Sequence, residues 1–179
     1  GVFEGEGKTT WEDGTVQIGT YHEGIWQATE WGLLFAAEST DAITVSDEAS
    51  SFIKENAEFF PSDSVEKFQD DVDESITYKM VMKEPDKYGN KIMKANDLYV
   101  VQINTSQIYK DCEDKYTYAI LCDNDLNIYQ IYMMGELPNI YEGDTIKTMY
   151  GTPVGNNSYE SSNGGFVNSV VVAPCWIQK

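Results

Sequence analysis

The sequence predicts an α+β protein, with a small N-terminal α/β segment leading into a C-terminal five-stranded β-barrel. Three observations carry this reading. From residue 91 onward, short alternating apolar runs recur between turn signals, the pattern of successive strands. Between residues 44 and 61 the apolar period lengthens to that of a helix. Charge divides the chain as well: of the net −18, residues 1–79 carry −14 and residues 80–179 carry −4. Such asymmetry marks two units, 1–79 and 80–179. At 179 residues and 41% hydrophobic content the chain supports a packed core.

The first unit opens with glycine and aromatics. Thr15–Ile18 and Ile25–Thr29 read as short strands punctuated by Gly14, Gly19, Gly24 and Gly32. Trp31–Phe35 is a further apolar run, and a hairpin or meander is expected here. Ala49, Phe52, Ile53 and Asn56 then follow helical spacing, with Ser46 or Asp47 as cap and Asp47 and Glu48 in the first turn, where the helix dipole favours anions. Pro61 ends that segment. Ser64 is placed to cap a second short helix carrying Val65, Phe68 and Val72, closed by Asp70, Asp71, Asp73 and Glu74. Phe52, Phe59, Phe60 and Phe68 are expected to pack this unit onto the next.

Residues 75–83 read as a strand or an extended lead-in. Glu84–Asn90 reads as one helical turn, with Pro85 at its first position and Gly89 as the stop. The barrel strands follow: Lys91–Tyr109, Tyr116–Cys122, Asn127–Met134, Thr145–Gly151 and Phe166–Ile177. Asp123–Leu126 marks a hairpin, and Gly155–Gly165 reads as a polar loop. Five strands in this arrangement fit an OB-type barrel.

The details resemble one group more closely. The lead-in Glu84-Pro85-Asp86-Lys87-Tyr88-Gly89-Asn90-Lys91, the strand Tyr99–Ile103, the segment Tyr141-Glu142-Gly143-Asp144-Thr145-Ile146 with Tyr150-Gly151, and the Val-rich last strand look like OB-fold domains of exported Gram-positive lipoproteins. Those domains are akin to the anticodon-binding-like OB family. They share an "NPxxYxGK"-type lead-in and a late "GDxVxVYG"-type strand. This chain departs from them by Glu84 for the Asn and by Gly89-Asn90-Lys91 around the glycine. The resemblance covers residues 80–179. It implies a fold and an extracellular or cell-surface address, and it brings no catalytic motif. Physically, Gly143 permits a turn and Asp144 accepts backbone N–H bonds at the strand start, while Gly151 allows a bend where the barrel closes.

The address is also read from composition. The chain opens at Gly1, in an acidic, glycine-rich stretch, which reads as a protein trimmed of an export signal. No apolar stretch has the length of a membrane span, so membrane contact is expected only through a lipid anchor or a segment outside this sequence. Cys112, Cys122 and Cys175 are odd in number and match no zinc spacing. Free thiols are expected, with a Cys112–Cys122 bridge as the alternative.

All 12 basic residues are lysine. Bidentate arginine clamps are therefore excluded, and the positive stripe of nucleic-acid binding is missing. The OB face that usually stacks bases carries Tyr116, Tyr118, Tyr129 and Tyr132. Without positive charge these tyrosines suit a protein, peptide or glycan, and nucleic acid is not the expected partner. Asp123, Asp125 and Asn127 imitate a calcium loop, but Ile128 and Met134 stand where the EF-hand needs glycine and a bidentate acid, so a turn is expected. His22 reads as a surface histidine. Trp11, Trp26 and Trp31 are a candidate sugar platform. No cofactor or metal site is indicated. The function expected is a non-enzymatic surface binding or accessory module. A carboxylate-dependent glycan hydrolase is the alternative, to be recognised by two close carboxylates with shifted pKa, and single-stranded nucleic-acid binding is a third reading by fold analogy alone.

Overall fold

A computed structural model describes residues 1–14, 16–109, 112–161 and 163–179. The N-terminal strands β1 (Gly5–Thr10), β2 (Val16–His22) and β3 (Ile25–Trp26) form an antiparallel meander. Thr15, where the strand Thr15–Ile18 was expected to start, lies outside the described residues. β1 was not expected from the sequence. It pairs along its whole length with β2, from Gly5 opposite Tyr21 to Thr10 opposite Val16.

Trp31–Phe35 is not part of this sheet. It belongs to helix α1 (Glu30–Ser39), whose N-terminus is capped by Thr29 accepting from the Gly32 N–H. The run has no polar stripe because Trp31, Gly32, Leu33 and Leu34 are all buried, and a helix enclosed all round loses the amphipathic signature. Helix α2 (Asp47–Glu55) follows the expected pattern. Ser46 caps it, and Ala49, Phe52 and Ile53 form its buried face. The second short helix is instead two 3₁₀ turns, Val65–Lys67 and Gln69–Asp71, and Ser64 makes no capping bond.

Within the segment 75–83, expected as a strand or an extended lead-in, residues 78–83 form a helix. α3 (Tyr78–Lys83) starts where Thr77 accepts from the Met80 N–H, and that cap overrides the period-2 look of Ile76, Tyr78, Met80 and Met82. Residues 84–91 then make two successive tight turns rather than a helical turn, closed by Lys87 N–H to Glu84 C=O and Lys91 N–H to Tyr88 C=O. α3 spans the 79/80 position, and its Val81 is fully buried with barrel residues such as Leu98 and Val172.

The barrel comprises β4 (Met93–Gln107), β5 (Lys115–Cys122), β6 (Ile128–Met134), β7 (Thr145–Glu160) and β8 (Phe166–Gln178). It closes in the order β4-β5-β6-β8-β7. All pairs are antiparallel except β6 with β8, which run parallel with Ile131 opposite Val172. The long β4 is shared by both neighbours: Met93–Tyr99 pairs with β7, and Tyr99–Gln107 with β5. Most of the expected Gly155–Gly165 loop is strand. β7 continues to Glu160 and pairs with β8 beyond the barrel wall, leaving only residues 161–165 as the turn, of which Ser162 lies outside the described residues. Gly143 takes a positive φ of 90°, and the Asp144 carboxylate accepts from the Tyr141 N–H at 2.9 Å. The register slips at Tyr150/Gly151, where a Cβ on Gly151 would fall 2.5 Å from Val172 Cγ1.

Two apolar cores result. One fills the barrel with Leu98, Val100, Ala119, Leu121, Ile131, Ile146, Met149, Val170 and Val172. The other lies between the helical layer and the outside of β7 and β8. There Phe52, Phe59, Phe60 and Phe68 meet Val154, Val171, Ala173 and Cys175, as expected of these four phenylalanines. Cys112, Cys122 and Cys175 are free thiols.

Candidate functional site

The pairing register decides which tyrosines share a surface. Tyr116 lies opposite Met134, Tyr118 opposite Tyr132, and Ile120 opposite Gln130. Directly opposed residues share a sheet face, so Tyr116, Tyr118 and Tyr132 stand on the outside of the barrel. The Tyr118 and Tyr132 rings meet edge to face at 5.1 Å. Tyr129 is opposite Leu121 and falls on the inner face, buried in the barrel core. Its hydroxyl donates to Asp123 at 3.3 Å. The structure therefore brings three of the four expected site tyrosines together and assigns the fourth to the core.

A cavity of about 320 Å³ lies beside Tyr116 and Tyr132. Its aliphatic floor comes from Val16 and Ile18 of β2 and from Leu33, Ala36 and Ala37 of α1. Ile108 and Tyr109, just past the end of β4, complete the wall. Among the described residues no charged side chain lines it. Burial holds the Tyr132 hydroxyl protonated, its pKa pushed up to about 12, with Tyr118 and Tyr116 adding to the effect. Burial and the neighbouring Cys112 thiol push Tyr109 up to about 12. These hydroxyls are neutral donors at ordinary pH. The site is an apolar slot with phenolic hydroxyls at its edge, a surface for apolar contact plus a few directed hydrogen bonds. Tyr109 and the α1 floor escaped sequence reasoning. The only signal in the sequence was the small-residue pair Ala36-Ala37, which lets a helix face approach closely.

A second, polar cleft of about 510 Å³ opens between α3 and the β5–β6 turn, lined by Glu74, Tyr78, Lys94, Asn96, Asp125 and their neighbours. Its groups are largely engaged. Asp123 accepts from the backbone N–H groups of Asp125 and Asn127, from the Asn127 amide and from Tyr129, which makes it the organiser of a hairpin turn. Lys94 pairs with Glu74 at 3.0 Å. Tyr78 donates to the Asn168 carbonyl.

The other candidates are dispersed. His22 is exposed and bonds Glu4 at 2.9 Å. Trp11 is exposed, whereas Trp26 and Trp31 are buried, with their indole N–H groups given to the Ile18 carbonyl and to Glu6. They form no shared platform. Asp73 caps its own turn through Ser75. Among the described residues no three His, Cys, Asp or Glu side chains converge as metal ligands, and no helix is long and apolar enough to cross a membrane.

One carboxyl is strongly shifted. Glu30 is buried in α1, and burial pushes its pKa up to about 8 against the pull of the Met134 N–H. It lines a small cavity of about 170 Å³ with Thr29, Trp31, Ile53, Lys54 and Ala57, and no second carboxyl lines that cavity among the described residues. Compared with known proteins, the chain matches no protein-family model, no curated protein and no solved structure.

Proposed function

We propose that the protein is a non-enzymatic binding module whose tyrosine cleft receives an apolar side chain from a peptide segment of another protein. The observation that carries this is the lining itself. Tyr109, Tyr116 and Tyr132 stand over an aliphatic floor, with no carboxylate, lysine, histidine or cysteine among the described lining residues. Such a surface favours apolar contact and neutral hydrogen bonds, and among the described lining residues its only hydroxyl-bearing groups are tyrosines and Thr40, without a base beside them to activate chemistry. A glycan fits less well, because sugars stack on flat aromatic faces while this floor is aliphatic. Nucleic acid is disfavoured by the lack of arginine and of a positive groove.

In the same reading the barrel is of the OB type. Its first-second-third-fifth-fourth order, with the third and fifth strands parallel, supports this, as does a candidate cleft beside its second and third strands. The sequence resemblance supports placing the module at the surface of a Gram-positive cell, as the ectodomain of a lipoprotein anchored through a segment outside this sequence.

The test is a peptide and glycan array probed with the whole chain, followed by titration of the strongest hit. We expect a peptide hit whose affinity falls at least tenfold in Tyr116→Ala and is unchanged in Phe166→Ala, an exposed position outside the cleft. Equal binding by the Tyr116 variant overturns the site. A hit that is cleaved, or a glycan that depends on Asp125, favours the hydrolase reading instead.

A further inference from the structure

Glu30 opens helix α1 and is 2% exposed. Its Oε2 accepts a hydrogen bond from the Met134 backbone N–H of β6 at 2.9 Å, across 104 residues of sequence. Its Oε1 is buried and has no hydrogen-bond partner among the described residues. A protonated carboxyl tolerates this environment, whereas an ionised one leaves a buried charge uncompensated.

The charged and titratable groups around it do not supply that compensation. Lys54 of α2 lines the same small cavity, but its ammonium pairs with Glu6 of β1 at 2.8 Å and lies 4.2 Å from the centre of the Trp31 ring. Lys54 holds the Glu6 carboxyl below its usual value, and the Trp31 indole N–H donates to the same carboxylate. From β8, Cys175 adds a thiol that burial keeps neutral, with Glu30 and Asp71 near enough to add to the shift. Thus α2 offers a cation already engaged elsewhere, β8 offers a neutral thiol, and β6 offers one N–H.

The position of this bond gives it a consequence. α1 carries Glu30 in its first turn and then Leu33, Ala36 and Ala37 on the floor of the tyrosine cleft. β6 carries Met134 and, two residues earlier on the same face, the cleft residue Tyr132. The Glu30–Met134 hydrogen bond therefore ties one wall of the cleft to the other. We propose that Glu30 is a proton-operated latch: protonated, it holds α1 against β6 and sets the cleft, and ionised, it releases α1 and loosens the cleft. Its effect on a ligand rests on the binding-module reading above. The latch itself does not.

The sign follows from linkage. The docked form binds the proton more tightly than a released form whose Glu30 faces water. Release therefore grows as pH rises from the ordinary carboxyl range near 4.5 to about 8, by up to tenfold per pH unit, and levels off above that.

The experiment is native-state amide hydrogen exchange on the ligand-free whole chain, corrected for the intrinsic pH dependence of exchange. The amides of Leu33–Ala37 and Met134 are compared with the barrel amides of Val100 and Leu121. Glu30 faces water in the released and the unfolded state alike, so barrel protection falls in step. We expect α1 and Met134 to be less protected than the barrel throughout, to lose at least tenfold in protection between pH 5.5 and 8.5, and to show no such loss in Glu30→Gln, which keeps the acceptor but cannot ionise. Constant protection of α1 in the parent protein, protection of α1 equal to that of the barrel, or a fall that persists in Glu30→Gln, overturns the latch. Should Glu30→Gln fail to fold, the carboxyl carbon shift of Glu30 decides. A midpoint near 8 supports the latch and one below 6 overturns it. Tyr116→Ala is expected to leave the pH dependence intact, so the cleft and the latch succeed or fail separately.

Discussion

The outer surface of the barrel is covered in two places, and the two covers differ in chemistry. Over β7 and β8 the helical layer sets phenylalanines against aliphatic strand residues. Phe59 and Phe68 approach at 6.1 Å, and Phe68 continues to Tyr150 at 5.8 Å. Over β5 and β6 the strands present tyrosines, and the cover of α1 and β2 leaves a cavity of about 320 Å³. Phenylalanine has no hydroxyl to satisfy and closes into a dry interface, while tyrosine needs water or a partner for its oxygen and stands at an opening. One contact binds the molecule together and the other is left for something else to fill.

The comparison breaks first at Phe68. Phe68→Ala is expected to cost about 3–5 kcal/mol, because a large side chain at 1% exposure leaves a cavity that the surrounding strands cannot close. Chemical denaturation reads this directly. A loss below about 1 kcal/mol would mean that the phenylalanine layer is a loose lid rather than a core. Gly155 tests the same contact from the strand side. A Cβ there would sit 2.3 Å from the Thr44 carbonyl, so Gly155→Ala is expected to cost about 1–3 kcal/mol by forcing that backbone away from β7.

The pH dependence sharpens the comparison on the open side. Glu30 is bound by the proton more tightly in the folded state, so it destabilises the fold as pH rises. The contribution is expected to be lost at about 1.4 kcal/mol per pH unit across the window from 4.5 to about 8, and to be flat outside it. Denaturation midpoints of the parent protein and Glu30→Gln across that window give the difference. The smallest effect is expected in the cleft. Tyr116 is only half-buried, and Tyr116→Ala is expected to change stability by no more than about 1 kcal/mol while weakening ligand binding at least tenfold. A comparable loss in stability and binding would make Tyr116 a packing residue.

The barrel was legible because its strands obey a simple rule. Alternation in Leu98–Ile103 and the Val-rich last strand mark them, and turns at Asp123–Leu126 and Gly143-Asp144 fix their ends. The phenylalanine interface was legible for a similar reason, since Ala49, Phe52 and Ile53 follow helical spacing behind the Ser46 cap. α1 was not, because a helix buried all round carries no stripe. α3 was not, because four apolar residues at alternate positions imitate a strand and only the Thr77 cap decides. The split among the tyrosines depended on register. Tyr129 and Tyr132 are three apart in one strand and so point to opposite faces, and nothing in the hairpin sequence says which face is inside. Glu30 carried no signal at all. Its importance arises from a bond to Met134, a residue far along the chain, and from the absence of a partner on its other oxygen among the described residues.

The most direct test of the binding-module account is a map of ligand-induced shifts. Methyl and aromatic NMR resonances of the whole chain are followed as the strongest peptide from the array is titrated in. The account predicts that the largest changes fall on Tyr109, Tyr116, Tyr132, Leu33 and Ala37. Changes centred instead on Tyr78, Lys94 and Asp125, in the polar cleft beyond α3, would contradict it.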